Sequence, residues 1–201
     1  MAETLAFLDF FMLVDRSLTD PQALTELERR YRADAAVLVL DFSGMVQRTA
    51  AHGIIYALAR ARAAMAAVEP TLQVHGGRPV KRIADTLFTV FPTPKQALFA
   101  ALDAQVRTDQ FNRDADDPIH AGVGLGWGPC FILPGQDLYG SEVNRAFVLG
   151  EELAEGGEVL MTPAFVDALK PIPSGIGIHE TNADRAHQGG FPFFEARDYR
   201  D

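Results

Sequence analysis

The chain has 201 residues, of which 48% are hydrophobic and 22% charged, values typical of one soluble globular domain with a substantial core. Its formal net charge of −9 argues against a protein that binds nucleic acid or anionic membranes, although a small nucleotide can still bind at a locally positive or metal-containing site. The single cysteine, Cys130, excludes an intrachain disulfide and fits a reducing cytoplasm.

The N-terminal segment has no predicted secretory signal or membrane span. Glu3 stands where a signal peptide has a basic region, and the apolar stretch Leu5–Val14 is too short to cross a bilayer. We therefore expect residues 1–34 to form a helical extension and residues 35–201 to form the main domain.

The first predicted helix covers residues 4–15. Its apolar face would either pack on its own domain or serve as a dimer or regulatory contact. The residues with helical spacing on this face are Leu5, Leu8, Phe11 and Met12. A second helix is expected from Asp20, as N-cap, with Pro21 at its first position, to about Arg32.

A buried central strand is predicted at Ala35–Leu40, because this apolar run is bounded by polar residues, and a turn follows at residues 41–44. The next helix should run from Gly53 to Glu69 and stop at Pro70. We expect the Gly76-Gly77 pair to form the turn of a hairpin. Its two strands would be Thr71–His75 and Val80–Phe91.

The remaining elements alternate between helix and strand. Thr93 should cap a helix that runs to about Gln110. The later segments are a strand at Ile119–Trp127, a helix at Glu142–Ala154, a strand at Glu158–Met161, a helix at Pro163–Leu169, and short strands near Gly175–His179 and Phe193–Ala196. This order predicts an α/β (α+β) sandwich of the ferredoxin-like βαββαβ kind, with additional strands and N-terminal helices.

Two aspartates are candidate metal ligands. Taken singly, Asp41 and Asp85 could each be a turn or capping residue. Asp85, however, is expected within a strand, where aspartate is depleted and a buried carboxylate needs a partner or a metal. Two carboxylates that converge from adjacent strands would suit Mg²⁺ bound to phosphates. The third segment of interest, residues 137–144, is on local chemistry alone a loop followed by a capped helix.

Together, in this order, the segments resemble the signature blocks of class III adenylyl and guanylyl cyclases. Asp41 lies in a variant of the Asp-x-x-Gly-Phe-Thr block, with Met45 in place of Phe. The resemblance covers roughly residues 35 to 165. Its other pieces are His75-Gly76-Gly77 with Lys81 and Asp85, the glycine-rich strand Gly122–Gly126, the segment Asp137–Asn144 continuing to Gly150-Glu151, and the closing strand Gly157–Leu160.

This resemblance implies a metal and phosphate site. Asp41 and Asp85, helped by the Phe42 carbonyl, would bind two Mg²⁺ or Mn²⁺ ions. These ions would help activate the ribose 3′-hydroxyl and stabilise charge at the α-phosphate. The backbone of Ser43, Gly44 and Met45 would cradle the phosphates.

The resemblance also implies how the nucleotide is chosen. Lys81 and Asp137 would read the purine and suit adenine, since lysine donates to ring N1 and aspartate accepts from the 6-amino group. Asn144 would orient the ribose. The site would form between head-to-tail subunits, with the metal carboxylates from one and the base-reading residues from the other. A homodimer would then have two shared sites, and a heterodimer is possible.

Several positions depart from the family pattern. Val148 stands where the family places an arginine that stabilises the transition state, and Arg145 projects about 100° away around the helix. No lysine follows Lys170, so Arg185 or His187 is the nearest substitute for a triphosphate-binding lysine. Ala84 and Gly124 also replace the usual glycine and histidine.

The predicted function is therefore an adenylate cyclase that converts ATP to cyclic AMP and pyrophosphate, with low turnover. The alternative is a cyclase-like dimerisation or nucleotide-binding regulatory module that catalyses little. A guanylyl cyclase fits Lys81 and Asp137 poorly, and another metal-dependent phosphotransfer reaction on the same sandwich stays open.

Overall fold

The chain folds around one mixed sheet with helices on both faces. The computed structural model describes residues 2–197, with side chains from residue 6 onward. The elements are α1 (Ala2–Ser17), α2 (Pro21–Tyr31), β1 (Arg32–Phe42), α3 (Met45–His52), α4 (Ile54–Val74), β2 (Arg78–Ile83), β3 (Thr86–Phe91), α5 (Pro94–Asn112), β4 (Ala121–Leu133), β5 (Asp137–Tyr139), α6 (Ser141–Phe147), a π-helix (Val148–Leu153), β6 (Val159–Met161), α7 (Pro163–Leu169), β7 (Gly177–Glu180), α8 (Ala183–Gly189) and β8 (Phe194–Arg197).

The sheet has the strand order β2-β3-β1-β4-β6-β8-β7, and the short β5 pairs with the end of β4. Each of the first four strands in this order is antiparallel to its neighbours, and α4 and α5 lie in the connections from β1 to β2 and from β3 to β4. This is the predicted ferredoxin-like βαββαβ arrangement, extended by further strands and by the N-terminal helices.

Strand β1 divides its side chains between two cores. Leu38, Leu40 and Phe42 are fully buried in the large core that also holds apolar residues of α4, α5 and α7. Val37 and Val39 point to the opposite face, where they pack with residues of α6. Because side chains alternate along a strand, Asp41 continues the second face.

The predicted hairpin is wrong in its first strand and in its turn. Helix α4 continues through Pro70 to Val74, because Val68 and Leu72 are both completely buried in the main core and tertiary packing outweighs the local break. The hairpin instead joins β2 to β3, with Ala84 and Asp85 between the strands. Asp85 is therefore a turn residue and not a strand residue.

The N-terminal helix presents a different face to the domain from the one expected. Phe10 and Leu13 are its buried residues and pack with α2 and with the β4–β5 end of the sheet. Leu8 and Met12 are 54% and 64% exposed, and the side chain of Leu5 lies outside the described residues. The cap of α2 is as predicted, since the Asp20 carboxylate accepts from the backbone of Gln22.

The predicted helix at residues 142–154 is divided into α6 and a π-helix that begins at Val148. Both lie directly on β4, where a Cβ atom at Gly124 would come within 2.1 Å of the Ala146 carbonyl oxygen. A Cβ at Gly126 would similarly approach the Glu142 carbonyl at 2.5 Å. Glycine on this strand therefore allows the backbone contact that fixes the helix.

Candidate active site

The structure brings the predicted residues into two groups on one face of the sheet. The first is an acidic cluster at the end of β1. The Thr86 hydroxyl lies 3.0 Å from Asp41 Oδ1 and 2.7 Å from Glu151 Oε2. Asp85 immediately precedes Thr86 in the hairpin turn. Glu151, from the π-helix, thus joins the two carboxylates that the sequence singled out.

The electrostatics of this cluster disfavour ionisation. Burial, followed by the charges of Glu151 and Asp85, raises the pKa of Asp41 to about 7. The pKa of Asp85 is also raised, mainly by burial and then by Glu151, while its own backbone amide and Arg48 oppose the change. A cation bound beside these carboxylates would therefore stabilise their ionised forms.

The donor chemistry fits a divalent ion that keeps open coordination positions. Within residues 2–197, no group of three or more His, Cys, Asp or Glu side chains is arranged to hold a metal ion by itself. Mg²⁺, however, is commonly bound through one or two carboxylates, and phosphate oxygens and water complete its octahedron. Asp41 and Asp85 match that mode of binding with a nucleotide present.

The turn after β1 leads into α3. Gly44 has φ 88°, a left-handed conformation that glycine adopts without strain, and no described side chain caps the helix. The Ser43 amide donates to the His120 carbonyl at 2.9 Å. That amide is therefore engaged in this structure, whereas Gly44 and Met45 lie at the start of α3, where backbone amides can bind an anion. The phosphate cradle expected at Ser43, Gly44 and Met45 stays a prediction.

Arg48 connects this turn to the loop that precedes β4. Its side chain is only 9% exposed and donates to the Asp117 carboxylate at 2.7 Å and to the Pro118 carbonyl at 2.7 Å. A third bond, of 3.1 Å, reaches the Ser43 carbonyl. A buried guanidinium that is satisfied in this way is a structural clamp between the turn and the loop before β4.

The second group is the pair that the resemblance assigned to the purine. Lys81 Nζ lies 3.0 Å from Asp137 Oδ1 and 3.1 Å from Oδ2, although the two residues come from β2 and β5. Both side chains are mostly buried, and the ammonium lies 5.8 Å from the centre of the Phe88 ring. Since Phe88 pairs with both Lys81 and Val39, this group and Asp41 share one face of the sheet.

Asn144 lies on the exposed side of α6, and Val148 follows one turn later. The Val148 amide donates to the Asn144 carbonyl, so the α-helical spacing persists to this point and the two side chains share a face. Arg145 pairs instead with Glu142 at 2.9 Å and covers the Phe191 ring at 5.3 Å. It is therefore held away from the face that Asn144 presents.

The substitute proposed for the C-terminal lysine is also engaged elsewhere. Arg185 forms a two-pronged contact with Glu158, at 2.7 and 2.8 Å, and donates to the Leu153 carbonyl at 2.9 Å. It ties α8 to the end of the π-helix. This structural role leaves His187, which is exposed, as the remaining candidate of the two.

Sequence reasoning included Glu151 in a matching segment without a role and assigned no role to Thr86, Arg48 or Tyr139. Thr86 gave no signal in the sequence, because threonine is common in strands. Glu151 depends on the path of the π-helix, which no sequence pattern indicated. Tyr139 becomes informative only through its contacts, which include the carboxylate of Asp137.

Comparison with known proteins gives matches among solved structures only; no family profile and no curated protein matches the chain. An adenylate/guanylate cyclase/hydrolase from Silicibacter pomeroyi is 22% identical, with TM-score 0.70 over 85% of this chain and 98% of that one. The adenylyl cyclase CyaB from P. aeruginosa is 18% identical, with TM-score 0.63 over 84% and 96%. The catalytic core of a rhodopsin-guanylyl cyclase with converted specificity, in complex with ATPαS, is 18% identical, with TM-score 0.69 over 84% and 97%.

The chain therefore has the fold of class III nucleotidyl cyclase catalytic domains, as its sequence motifs implied. The similar structures include adenylyl and guanylyl cyclases, so the shared fold does not distinguish between the two activities. No helix within residues 2–197 is long and apolar enough to cross a membrane.

Proposed function

We propose that the protein is an adenylate cyclase that converts ATP to cyclic AMP and pyrophosphate. The observation that carries this proposal is the contact between Lys81 and Asp137, 3.0 Å apart in a half-buried position on the sheet face that also holds Asp41. An ammonium donor beside a carboxylate acceptor matches N1 and the 6-amino group of adenine. Guanine presents a donor at N1 and an acceptor at position 6, which would leave both protein groups mismatched.

The acidic cluster supports a metal-assisted reaction. Asp41 and Asp85, with the Phe42 carbonyl, would hold two Mg²⁺ or Mn²⁺ ions. Bound ions would help activate the ribose 3′-hydroxyl and neutralise charge that develops at the α-phosphate. The Gly44 and Met45 amides would contact the phosphates, and Asn144 would orient the ribose. Each of these groups acts by placing the substrate, which is the protein's main task in phosphoryl transfer.

The site is proposed to be shared between subunits. Lys81 is paired with Asp137 rather than with Asp41 or Asp85, which supports a division into an acidic half-site and a base-reading half-site. A head-to-tail homodimer would join one subunit's acidic cluster to its partner's Lys81, Asp137 and Asn144. A related cyclase could replace one subunit. Cys130, which is buried and unpaired, is compatible with a cytoplasmic location.

One observation favours a second candidate, a regulatory module that binds nucleotide and turns it over slowly. Val148 stands where the cyclase pattern places an arginine, and Arg145 is paired with Glu142. Without a cation there, charge on the α-phosphate would be stabilised by metal alone. This alternative keeps nucleotide binding and dimerisation and differs from the first only in rate.

Base selection tests the proposal. ATP and GTP should be compared as Mn²⁺ complexes, both by turnover and by titration with non-reactive analogues. The wild type should prefer the adenine nucleotide, and Lys81→Glu combined with Asp137→Cys should reduce that preference. Arg82→Gln, which changes the neighbouring exposed cation on β2 and lowers the net charge by one unit as the double variant does, serves as the charge-matched control. Equal affinity of the wild type for both bases would contradict the assignment.

A further inference from the structure

Asp137 is held by its own strand as well as by Lys81. Its carboxylate accepts from the Leu138 amide at 2.9 Å and from the Tyr139 hydroxyl at 3.2 Å. Lys81 supplies the other two bonds. A carboxylate offers about four acceptor positions. When Lys81 turns toward adenine, the acceptor positions that it occupied on the Asp137 carboxylate become available to the 6-amino group. The hydrogen bonds from Leu138 and Tyr139 can persist.

Tyr139 is in turn positioned by the N-terminal helix. Its ring stacks on Phe10 of α1, with centroids 5.5 Å apart and planes 11° from parallel. Phe11 meets the same ring edge-on at 6.0 Å. Phe10 is only 3% exposed and also contacts Tyr31 of α2 edge-on at 5.1 Å. Aromatic packing of this kind restricts the ring and with it the direction of the hydroxyl.

The Tyr139 hydroxyl is suited to act as a permanent donor. Burial, followed by the charge of Asp137, raises the pKa of the phenol above its ordinary value. The group therefore keeps its proton at neutral pH. The Leu138 amide donates to one oxygen of the Asp137 carboxylate and the Tyr139 hydroxyl donates to the other. Because both donors belong to β5, they restrict rotation of the Asp137 side chain.

We propose that Tyr139 is a positioning residue for base recognition, and that α1 acts through it. The hydroxyl orients the Asp137 carboxylate toward the adenine 6-amino group, and Phe10 and Phe11 hold Tyr139 in register. Displacement of α1 would then alter nucleotide affinity and selectivity without contact between α1 and the nucleotide. This inference rests on the proposed function, because it assigns Tyr139 a role only if Asp137 reads the base.

The test is Tyr139→Phe, compared with Tyr31→Phe as a matched control. Tyr31 lies in the same aromatic cluster and also donates its hydroxyl to a carboxylate, that of Asp9 at 3.0 Å. With Mn²⁺ and non-reactive ATP and GTP analogues, Tyr139→Phe should weaken ATP-analogue binding about three- to tenfold and narrow the ATP-to-GTP ratio, since a bond to a charged acceptor is lost. In turnover assays KM should rise while kcat changes little. Tyr31→Phe should leave both quantities at wild-type values.

A second pair of variants tests the contribution of α1. Phe10→Leu removes the ring that stacks on Tyr139, whereas Leu13→Val makes a small change elsewhere in the same buried cluster. The first should shift the ATP-to-GTP ratio in the same direction as Tyr139→Phe, and the second should not. Equal shifts from both variants would mean a general packing effect and would overturn the role of α1.

The possible failures are distinguishable. If Asp137→Asn abolishes base preference and Tyr139→Phe leaves both affinity and preference intact, the positioning role is wrong and the proposed function stands. If the wild type binds neither analogue, or binds both equally, both proposals fall. Unfolding curves of all variants show whether a change in binding follows a change in stability.

Discussion

Replacing Asp41 with asparagine should stabilise the metal-free protein at pH 8. The structure places this carboxylate in a partly buried site beside two others, which raises its pKa from 3.8 to about 7. A change of this size corresponds to about 4 kcal/mol of free energy against the ionised form. Because the side chain keeps some contact with solvent, we expect a measured gain of about 2 kcal/mol from the neutral amide. The amide oxygen can still accept from Thr86.

The sign of this effect depends on pH in a defined way. The folded state binds the Asp41 proton more tightly than the unfolded state does, because its pKa is raised. The resulting stability is complete below about pH 3.8 and is lost as the pH rises through about 7. Wild type and Asp41→Asn should therefore have similar stability at pH 4 and diverge up to pH 8. Urea unfolding in the presence of a chelator, at several pH values, measures the difference.

Two controls test whether the effect of Asp41→Asn is specific to the acidic cluster. Mn²⁺ should stabilise the wild type and have little effect on Asp41→Asn, which has lost a ligand. Asp117→Asn should behave in the opposite way and destabilise at pH 8, since it removes the carboxylate whose pKa is lowered by the buried Arg48. If Asp41→Asn instead destabilises the metal-free protein at pH 8, burial and the neighbouring carboxylates do not disfavour the ionised form of Asp41, and this account of the cluster is wrong.

Three further predictions concern turnover, strain and assembly. Val148→Arg should raise the turnover number on the order of tenfold or more with little change in ATP affinity, and Val148→Leu should not; a slower Val148→Arg enzyme would show that another group already fills the role. Ala84→Gly should raise the free energy of unfolding by about 1 kcal/mol, because Ala84 has φ 50°; an unchanged urea midpoint would contradict strain at this turn. Sedimentation at several concentrations should detect a dimer, most clearly with Mn²⁺ and nucleotide, whereas a monomer under all conditions would exclude the homodimer.

Short sequence patterns correctly predicted the features that depend only on neighbouring residues, such as helix caps. Asp20 and Thr93 cap their helices as expected, because a side-chain oxygen followed by proline at the first helical position determines a helix start almost alone. The run Ala35–Leu40 likewise indicated a buried strand. The cyclase fold itself followed from the order of the motifs, and the structural comparisons confirm it.

Signals failed where burial outweighed local preference. Pro70 and the Gly76-Gly77 pair favoured a helix end and a hairpin turn, yet burial of Leu72 extends α4 past the proline. In α1, Leu8 and Met12 belong to the set with helical spacing but lie toward solvent, because the partner surface is formed by α2 and β4–β5 and buries Phe10 and Leu13. Periodicity indicates an apolar face but not the surface against which it packs.

The sequence predicted the charged residues of the candidate site but not the residues that contact and position them. Asp41, Asp85, Lys81 and Asp137 were selected by motif, and their contacts agree with two half-sites, while their roles stay predictions. Glu151 and Tyr139 reach these residues only through a π-helix and an aromatic cluster formed by distant segments. Such contacts depend on tertiary geometry, which sequence spacing does not determine.

The most direct test of the central claim is the production of cyclic AMP from ATP in the presence of Mn²⁺, measured over a range of protein concentrations. The proposed function predicts slow product formation whose specific rate rises with concentration as dimers form, and which Asp41→Asn or Asp85→Asn abolishes. Cyclic AMP at a rate equal to that of Asp41→Asn, at every concentration and with saturating ATP bound, would contradict catalysis and leave the nucleotide-binding module as the function.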